Sequence, residues 1–373
     1  MDDTRSLRIV MTGAGGGHFA PALAVCEVLP KETALLFVGR KHGLEGDSAL
    51  SLEYQTAKAR GIPFESITTG RLQRRWTRHT LSSLIKLPVG LFQGLKILLA
   101  FKPDVVVSFG GYISLPVVTA AYILRIPVVI HEQTLGVGLA NKIASRFARR
   151  ICVSWEESLP FFPEGKTVVT GNPIRKSLFL YRQKKKIHKS YLFITGGSVG
   201  SHAINVLIEG CLERLLRAIP IIHQTGDAKE YNDYEHLQSL KNTLPQSLQE
   251  KYTIEKFIPE DKIGEILAGA SLVVARAGIG TITELIAFGK PALLIPLPFS
   301  QNNEQKTNAE FLKNLGLSQI YNQNSLTPDL LCDAVLSMLK NSKEYEKHAE
   351  EVKIHMQKDA ALKILSVIQE VVN

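Results

Sequence analysis

The chain has 373 residues, 45% of them hydrophobic and 21% charged, with a formal net charge of +9; that is enough apolar material for two ordinary cores and excludes a disordered or collagen-like chain. Its four cysteines, Cys26, Cys152, Cys211 and Cys332, are scattered without a C-x-x-C pair, which excludes a disulfide scaffold and argues against structural zinc. The opening residues, Met1-Asp2-Asp3-Thr4-Arg5, lack the basic-then-apolar order of a secretory signal, so the chain is expected to stay inside the cell.

The first predicted strand, Leu7–Val10, runs into Thr12-Gly13-Ala14-Gly15-Gly16-Gly17-His18 and then a helical stretch. Backbone N–H groups and a helix N-terminus at such a turn suit an anion. The turn is not a dinucleotide fingerprint, because the sixth position counted from Gly13 is His18. The second strand, Ala34–Val38, ends at Gly39-Arg40 with no carboxylate to hold an NAD ribose. Arg40 leaves an NADP reading formally open, and the absence of G-x-x-x-x-G-K-[ST] disfavours an ATPase.

From Ser66 to Pro103 there is no acidic residue, while Arg71, Arg74, Arg75, Arg78, Lys86, Lys96 and Lys102 alternate with Trp76, Leu84, Ile85, Leu87, Leu91, Phe92, Leu95, Ile97 and Leu98. The pattern suits a helix lying on anionic lipid headgroups. A core helix with a solvated basic face explains it as well, and no aromatic-rich recognition motif accompanies the charges, so nucleic acid is not expected as a partner. Val105 to Leu124 is uncharged and long enough to span a bilayer, yet Gly110-Gly111 and Pro116 divide it into strand, turn and helix.

Strands at Val128–Ile130, Arg150–Val153 and Thr167–Thr170 complete a first series. The run Lys184-Lys185-Lys186-Ile187-His188-Lys189 reads as an exposed connection, with the boundary between Asn172 and Lys189. A second series follows at Tyr191–Thr195, Ile219–Gln224, Tyr252–Glu255, Leu272–Ala275 and Ala292–Ile295. Alternation of strand and helix with short turns predicts an α/β chain with two Rossmann-like domains, their parallel sheets facing a central cleft. The expected division is 1–172, 173–343, and a final helix over 344–373 that packs back on the first domain.

Two further turns in the second series carry candidate chemistry. Thr195-Gly196-Gly197-Ser198-Val199-Gly200-Ser201 has Ser198 where a dinucleotide fingerprint needs its middle glycine. In Arg276-Ala277-Gly278-Ile279-Gly280-Thr281-Ile282-Thr283-Glu284, the spacing Thr281-x-x-Glu284 matches a capping box. Equally, Glu284 lies one turn into a helix at a carboxyl-end crevice, where it could accept both hydroxyls of a ribose.

With Gly110-Gly111-Tyr112, His131-Glu132-Gln133, Gly171-Asn172-Pro173-Ile174-Arg175, His223-Gln224-x-Gly226 and Gln305-x-x-Asn308-Ala309, these turns occur in an order that resembles the MurG family, glycosyltransferase family 28, from about Arg8 to about Lys340. The resemblance implies the GT-B fold and an inverting transfer of N-acetylglucosamine from UDP-N-acetylglucosamine to lipid I (undecaprenyl-diphospho-MurNAc-peptide), forming lipid II. It also implies a peripheral enzyme on the cytoplasmic face of the bacterial membrane, touching anionic lipid through about residues 71–102. The donor is expected on the C-terminal domain and the acceptor on the N-terminal one. Carried over by position, Ile258 contacts uracil through its backbone and Glu284 contacts the ribose. Ser198 and the loop Ile279, Gly280, Thr281, Ile282 and Thr283 lie near the diphosphate. Arg175 and Gln305 complete the donor site, with Gln305 towards the sugar hydroxyls, and Gly15, Gly16 and Gly17 approach sugar or phosphate from the other domain.

No metal and no cofactor are expected, since helix N-terminal amides and a guanidinium can balance the charge on departing UDP. His18 is the first candidate for the base that deprotonates the acceptor hydroxyl, because a helix N-terminus favours its neutral ring; it could instead bind the acceptor's diphosphate. Glu132 is the rival base. Three positions depart from the family pattern: Gly15 stands where the family has threonine, Thr134 where it has asparagine, and Asn302-Asn303-Glu304 lacks its aspartate. Alternatives are a transferase acting on diacylglycerol, a nucleotide-sugar epimerase of the same architecture, and a non-catalytic binding module.

Overall fold

The computed structural model describes the chain outside residues 1–5, 14, 43–49, 71–79, 183–189, 198, 229, 260, 301–302 and 354–355, and describes backbone alone at 16, 52, 80–85, 179–180 and 182. Ala14, the cations and Trp76 between Arg71 and Arg78, the Lys184 to Lys189 run, Ser198 and Asn302 lie outside the described residues, as do the side chains of Leu84 and Ile85. Two compact units result, Met1–Arg175 with Gln357–Asn373, and Lys176–Met356.

In the first unit, the described strands are β1 (Arg8–Thr12), β2 (Ala34–Gly39), β3 (Phe64–Ser66), β4 (Val105–Ser108), β5 (Val128–Glu132), β6 (Arg150–Val153) and β7 (Thr167–Val169), alternating with helices α1 (Gly16–Cys26), α2 (Leu52–Ala59), α3 (Thr80–Phe101), α4 (Ser114–Ile123) and α5 (Leu139–Ala144). They form one parallel sheet in the order β3-β2-β1-β4-β5-β6-β7. Residues 105–124 are β4, a turn and α4 rather than a span.

The second unit has β8 (Tyr191–Thr195), β9 (Ile221–Gln224), β10 (Tyr252–Glu255), β11 (Ala270–Ala275), β12 (Ala292–Leu294) and β13 (Ser318–Ile320), parallel in the order β10-β9-β8-β11-β12-β13. Its helices are α6 (Lys176–Arg182), α7 (His202–Glu209), α8 (Leu212–Ala218), α9 (Asp233–Thr243), α10 (Gln246–Gln249), α11 (Ile263–Gly269), α12 (Ile279–Phe288), α13 (Glu304–Asn314), α14 (Pro328–Lys340) and α15 (Ser342–Val352). The last helix, α16 (Ala360–Val372), belongs to the first unit, whereas α15 packs on α12.

Central strands of a parallel sheet are covered on both faces, so they read as apolar runs: Val105-Val106-Val107-Ser108 of β4 and all of β8 are buried. The period-2 alternation sorts β1 between two layers. Val10 joins Val38, Val106 and Ile130 beneath α3 and α4, whereas Ile9 and Met11 join Phe37, Val107 and Phe19 of α1. Ile364, Val367 and Ile368 of α16 close that second layer, and an Arg150–Glu370 ion pair ties the helix to the sheet.

In each unit the first strand lies between neighbours reached in opposite directions, β2 and β4 for β1, β9 and β11 for β8. That switch point opens a crevice at the carboxyl ends of the strands, and the glycine turns after β1, β8 and β11 lie there.

Candidate active site

In the first unit, Gly15 is the N-cap of α1, with φ 82° and ψ 158°, and its carbonyl accepts hydrogen bonds from the amides of His18 (3.1 Å) and Phe19 (3.0 Å). His18 is therefore the third residue of the helix. Its Nδ1 lies 2.8 Å from the Phe109 carbonyl oxygen, which can only accept, so the neutral ring carries its proton on Nδ1 and keeps a lone pair on Nε2. The Gln133 side-chain amide abuts the same nitrogen and is compatible with that tautomer when it presents its oxygen.

Glu132 is buried at the end of β5 with both carboxylate oxygens engaged. One accepts from the Thr134 amide (3.0 Å) and hydroxyl (2.7 Å), the other from the Gly138 amide (3.0 Å) and Asn141 Nδ2 (3.1 Å). Four donors make this carboxylate the tie of the loop leading into α5. The Thr134 hydroxyl is spent inside the same loop. Gly16 and Gly17 form the first turn of α1, and Gly17 is exposed. Arg175, at the end of the first unit, is buried.

In the second unit the loops after β8 and β9 meet backbone to backbone. A side-chain carbon on Gly200 would come within 2.1 Å of the Thr225 oxygen, and one on Gly226 within 2.3 Å of the Val199 oxygen, so both positions require glycine. Gln224 links these loops to the one after β10: its Nε2 donates to the Gly197 carbonyl (2.8 Å) and its Oε1 accepts from the Ile258 amide (3.1 Å). The Ile258 N–H is thus engaged by the protein.

The capping-box reading of Thr281 and Glu284 fails on geometry. Gly278 is the N-cap of α12, so Thr281 is the third helical residue and Glu284 the sixth. Ile282 and Thr283 are buried, and the Thr283 hydroxyl donates to the Ile279 carbonyl (2.8 Å). Because Ile282 N already bonds Gly278 O, the amides of Ile279, Gly280 and Thr281 are those facing out of the helix end. Gly280 is exposed, with no heavy atom within 4 Å of where a side-chain carbon would sit.

Polar side chains of the motif residues hold these loops. Buried Arg276 donates to Ile295 O (2.9 Å), Ser201 Oγ (2.7 Å) and Gln323 Oε1 (2.6 Å), joining the start of α7 to the loop before α12, and burial lowers its pKa. Asn308 Nδ2 donates to Ala277 O (3.0 Å), and Gln305 Oε1 accepts from Leu297 N (2.9 Å).

Two buried histidines serve the cores. Burial pushes the His131 pKa down to about 4 and the His223 pKa down to about 3. His223 donates through Nε2 to Asn205 Oδ1 (3.0 Å) and accepts from the Tyr252 hydroxyl (2.9 Å) at Nδ1. Unfolding returns each ring to an ordinary pKa of about 6.5, so the unfolded chain binds more protons as pH drops below that value. The stability from these neutral rings is complete above pH 6.5 and declines towards pH 4. At pH 5 each unit is expected to lose about 2 kcal/mol, lowering its melting temperature by about 4–8 °C relative to pH 7.5. Thermal melts across this range check it, and a flat melting temperature contradicts it.

Residues 9–153 match the model of the glycosyltransferase family 28 N-terminal domain, and residues 191–364 that of the family 28 C-terminal domain. A relative from Desulfotalea psychrophila, named UDP-N-acetylglucosamine--N-acetylmuramyl-(pentapeptide) pyrophosphoryl-undecaprenol N-acetylglucosamine transferase, is 33% identical over 100% of this chain and 99% of its own. Among solved structures, Acinetobacter baumannii MurG superposes with a TM-score of 0.71 at 28% identity, covering 97% of this chain and 99% of that one. The UDP-GlcNAc 2-epimerase of Neisseria meningitidis, at 13% identity and a TM-score of 0.66 over 98% of this chain and 100% of that one, shares the fold.

Proposed function

Because this chain belongs to glycosyltransferase family 28, we propose that it carries out the reaction in its full-length relatives' names, the transfer of N-acetylglucosamine from UDP-N-acetylglucosamine to the undecaprenyl-diphosphate-linked N-acetylmuramyl-pentapeptide of peptidoglycan synthesis, lipid I. The observation that carries the chemistry is the 2.8 Å contact of His18 Nδ1 with the Phe109 carbonyl, which puts the ring proton on Nδ1 and leaves the Nε2 lone pair to take a proton. The acceptor's 4-hydroxyl oxygen attacks C1 of the donor sugar, its proton passes to Nε2, and the C1–O bond breaks with its electron pair leaving on UDP. A single displacement turns the α-linkage into β.

The amides of Ile279, Gly280 and Thr281, with the Arg175 guanidinium, balance the charge growing on the diphosphate. Glu284 receives the ribose hydroxyls, the Ile258 carbonyl the uracil N3–H, and the Gln305 NH2 a sugar hydroxyl. Glu132 positions the loop beside His18 and takes no proton.

The second part of the reading concerns the membrane. Among the described residues no helix is long and apolar enough to cross one. Val89, Phe92, Lys96 and Leu99 share one exposed face of α3, with Phe92 74% exposed. Apolar groups beside a cation suit docking on an anionic leaflet that presents the lipid acceptor.

The test is transfer of labelled N-acetylglucosamine to a lipid I analogue with EDTA present, beside UDP-galactose with diacylglycerol and a reaction without acceptor. Product from lipid I alone is expected. Product only with diacylglycerol, or turnover without acceptor, overturns the reading in favour of the respective alternative. In the same preparation, Phe92→Glu with Leu99→Glu is expected to lower co-sedimentation with phosphatidylglycerol vesicles at least about tenfold. Transfer to a short-chain soluble analogue should be unchanged, and undiminished vesicle binding would remove the α3 face from the proposal.

A further inference from the structure

We propose that Glu53, on α2, is a positioning residue for the reaction, holding the Gly15 turn so that His18 is presented in its reactive place; the inference rests on His18 being the base. Glu53 is 1% exposed, and its Oε1 accepts from the Gly15 amide (3.2 Å) and from Arg40 Nε (2.9 Å). The Gly15 carbonyl in turn receives the His18 and Phe19 amides. A single residue therefore separates the carboxylate from the backbone of the base.

Gly15 needs such a tie. It sits at φ 82°, with no heavy atom within 4 Å of where a side-chain carbon would sit, so packing does not hold it. Glu53 is itself anchored. Ser51, the N-cap of α2, accepts from the Tyr54 amide (3.2 Å), donates through Oγ to Arg40 O (2.6 Å) and through its amide to Lys41 O (2.8 Å). The end of β2, the start of α2 and the glycine turn thus form one hydrogen-bonded assembly. The Arg40 guanidinium also lies close to Tyr112, in the turn that follows the His18 acceptor Phe109. One ion pair, its carboxylate buried and its guanidinium partly exposed, joins the turns after β1 and β4, the strands that flank the crevice. Packing alone would be served by a leucine, whereas fixing an amide requires an oxygen in a set place.

The experiment uses the full chain with Glu53→Leu, Glu53→Gln, Glu53→Asp, His18→Ala and the Glu53→Leu/His18→Ala pair. Glu53→Leu is expected to lower kcat about 100-fold, with UDP affinity and donor KM within about twofold of the parent. Glu53→Gln, which keeps an oxygen at the same reach, is expected to stay within about tenfold of the parent. Glu53→Asp, which draws the carboxylate back by one methylene, should fall below Glu53→Gln and carries the test if the leucine variant does not fold. Because both residues act on one step, adding Glu53→Leu to His18→Ala should cost less than about threefold more.

Hydrogen exchange of the Gly15 to Phe19 amides gives a readout independent of turnover and is expected to quicken at least about tenfold in Glu53→Leu and Glu53→Asp. Unchanged exchange, or losses that multiply fully in the double variant, would overturn the proposal. Quickened exchange together with full turnover in His18→Ala would instead overturn His18 as the base.

Discussion

Alanine at position 18 is expected to lower turnover about 10²- to 10⁴-fold, the range for removing a positioned general base, while UDP affinity stays within about twofold. The reason is the division of labour in the fold. His18 belongs to the first unit, and the residues assigned to uracil, ribose and most of the diphosphate belong to the second, so deleting the imidazole removes proton transfer without touching the donor's contacts. His18→Gln retains a side-chain donor for Phe109 O but has no basic nitrogen, and should be as slow as alanine. Glu132→Gln provides the contrast: it keeps oxygen and shape at the loop tie and should stay within about tenfold of the parent, with its larger effect on melting temperature. Single-turnover measurements at saturating donor decide the matter. Turnover of His18→Ala near that of the parent, with a slow Glu132→Gln, would transfer the base to Glu132.

The second large effect is expected from Glu284→Ala, which should weaken UDP binding about 10²- to 10³-fold and leave folding intact. Two hydrogen bonds from a ribose diol to a carboxylate are charge-assisted and strong. Had Thr281 been an N-cap, the same variant would cost helix stability instead. The helix begins at Gly278, so Glu284 lies in its second turn and its loss removes no cap. Titration calorimetry with UDP and with 2′-deoxy-UDP separates the contributions: the deoxy ligand should lose much of its affinity for the parent and little more for the variant. Equal UDP affinity in a folded Glu284→Ala protein would end the ribose assignment.

The buried histidines show how far residue type can be read without a fold. His131 and His223 sit in motifs that suggest chemistry, yet burial holds both neutral and directs them to the cores. His18 has the same side chain, and its helix position and its bond to Phe109 distinguish it. Phe109 is distant in sequence, so no local pattern announces that contact. Glu53 was hidden for the same reason, since Gly15 and Arg40 come to it from two other elements.

By itself the sequence determined the fold class and the strands that matter most. A parallel strand covered on both faces reads as a mostly apolar run, and β4, β5, β8 and β11 are legible as such runs up to their polar ends. It also determined where the loops lie, because glycines that permit positive φ and close backbone approach, as at Gly200 and Gly226, mark turns locally. The edge strands β3 (Phe-Glu-Ser) and β13 (Ser-Gln-Ile) escaped because an edge buries less and pairs on one side, so three mixed residues carry no readable period. Contacts between distant segments set the start of α12, the saturation of Glu132, the tautomer of His18 and the engagement of the Ile258 amide by Gln224. Each depends on which donors and acceptors distant segments bring within about 3 Å, and hydrogen bonding is too short-ranged and directional to be inferred from composition or spacing.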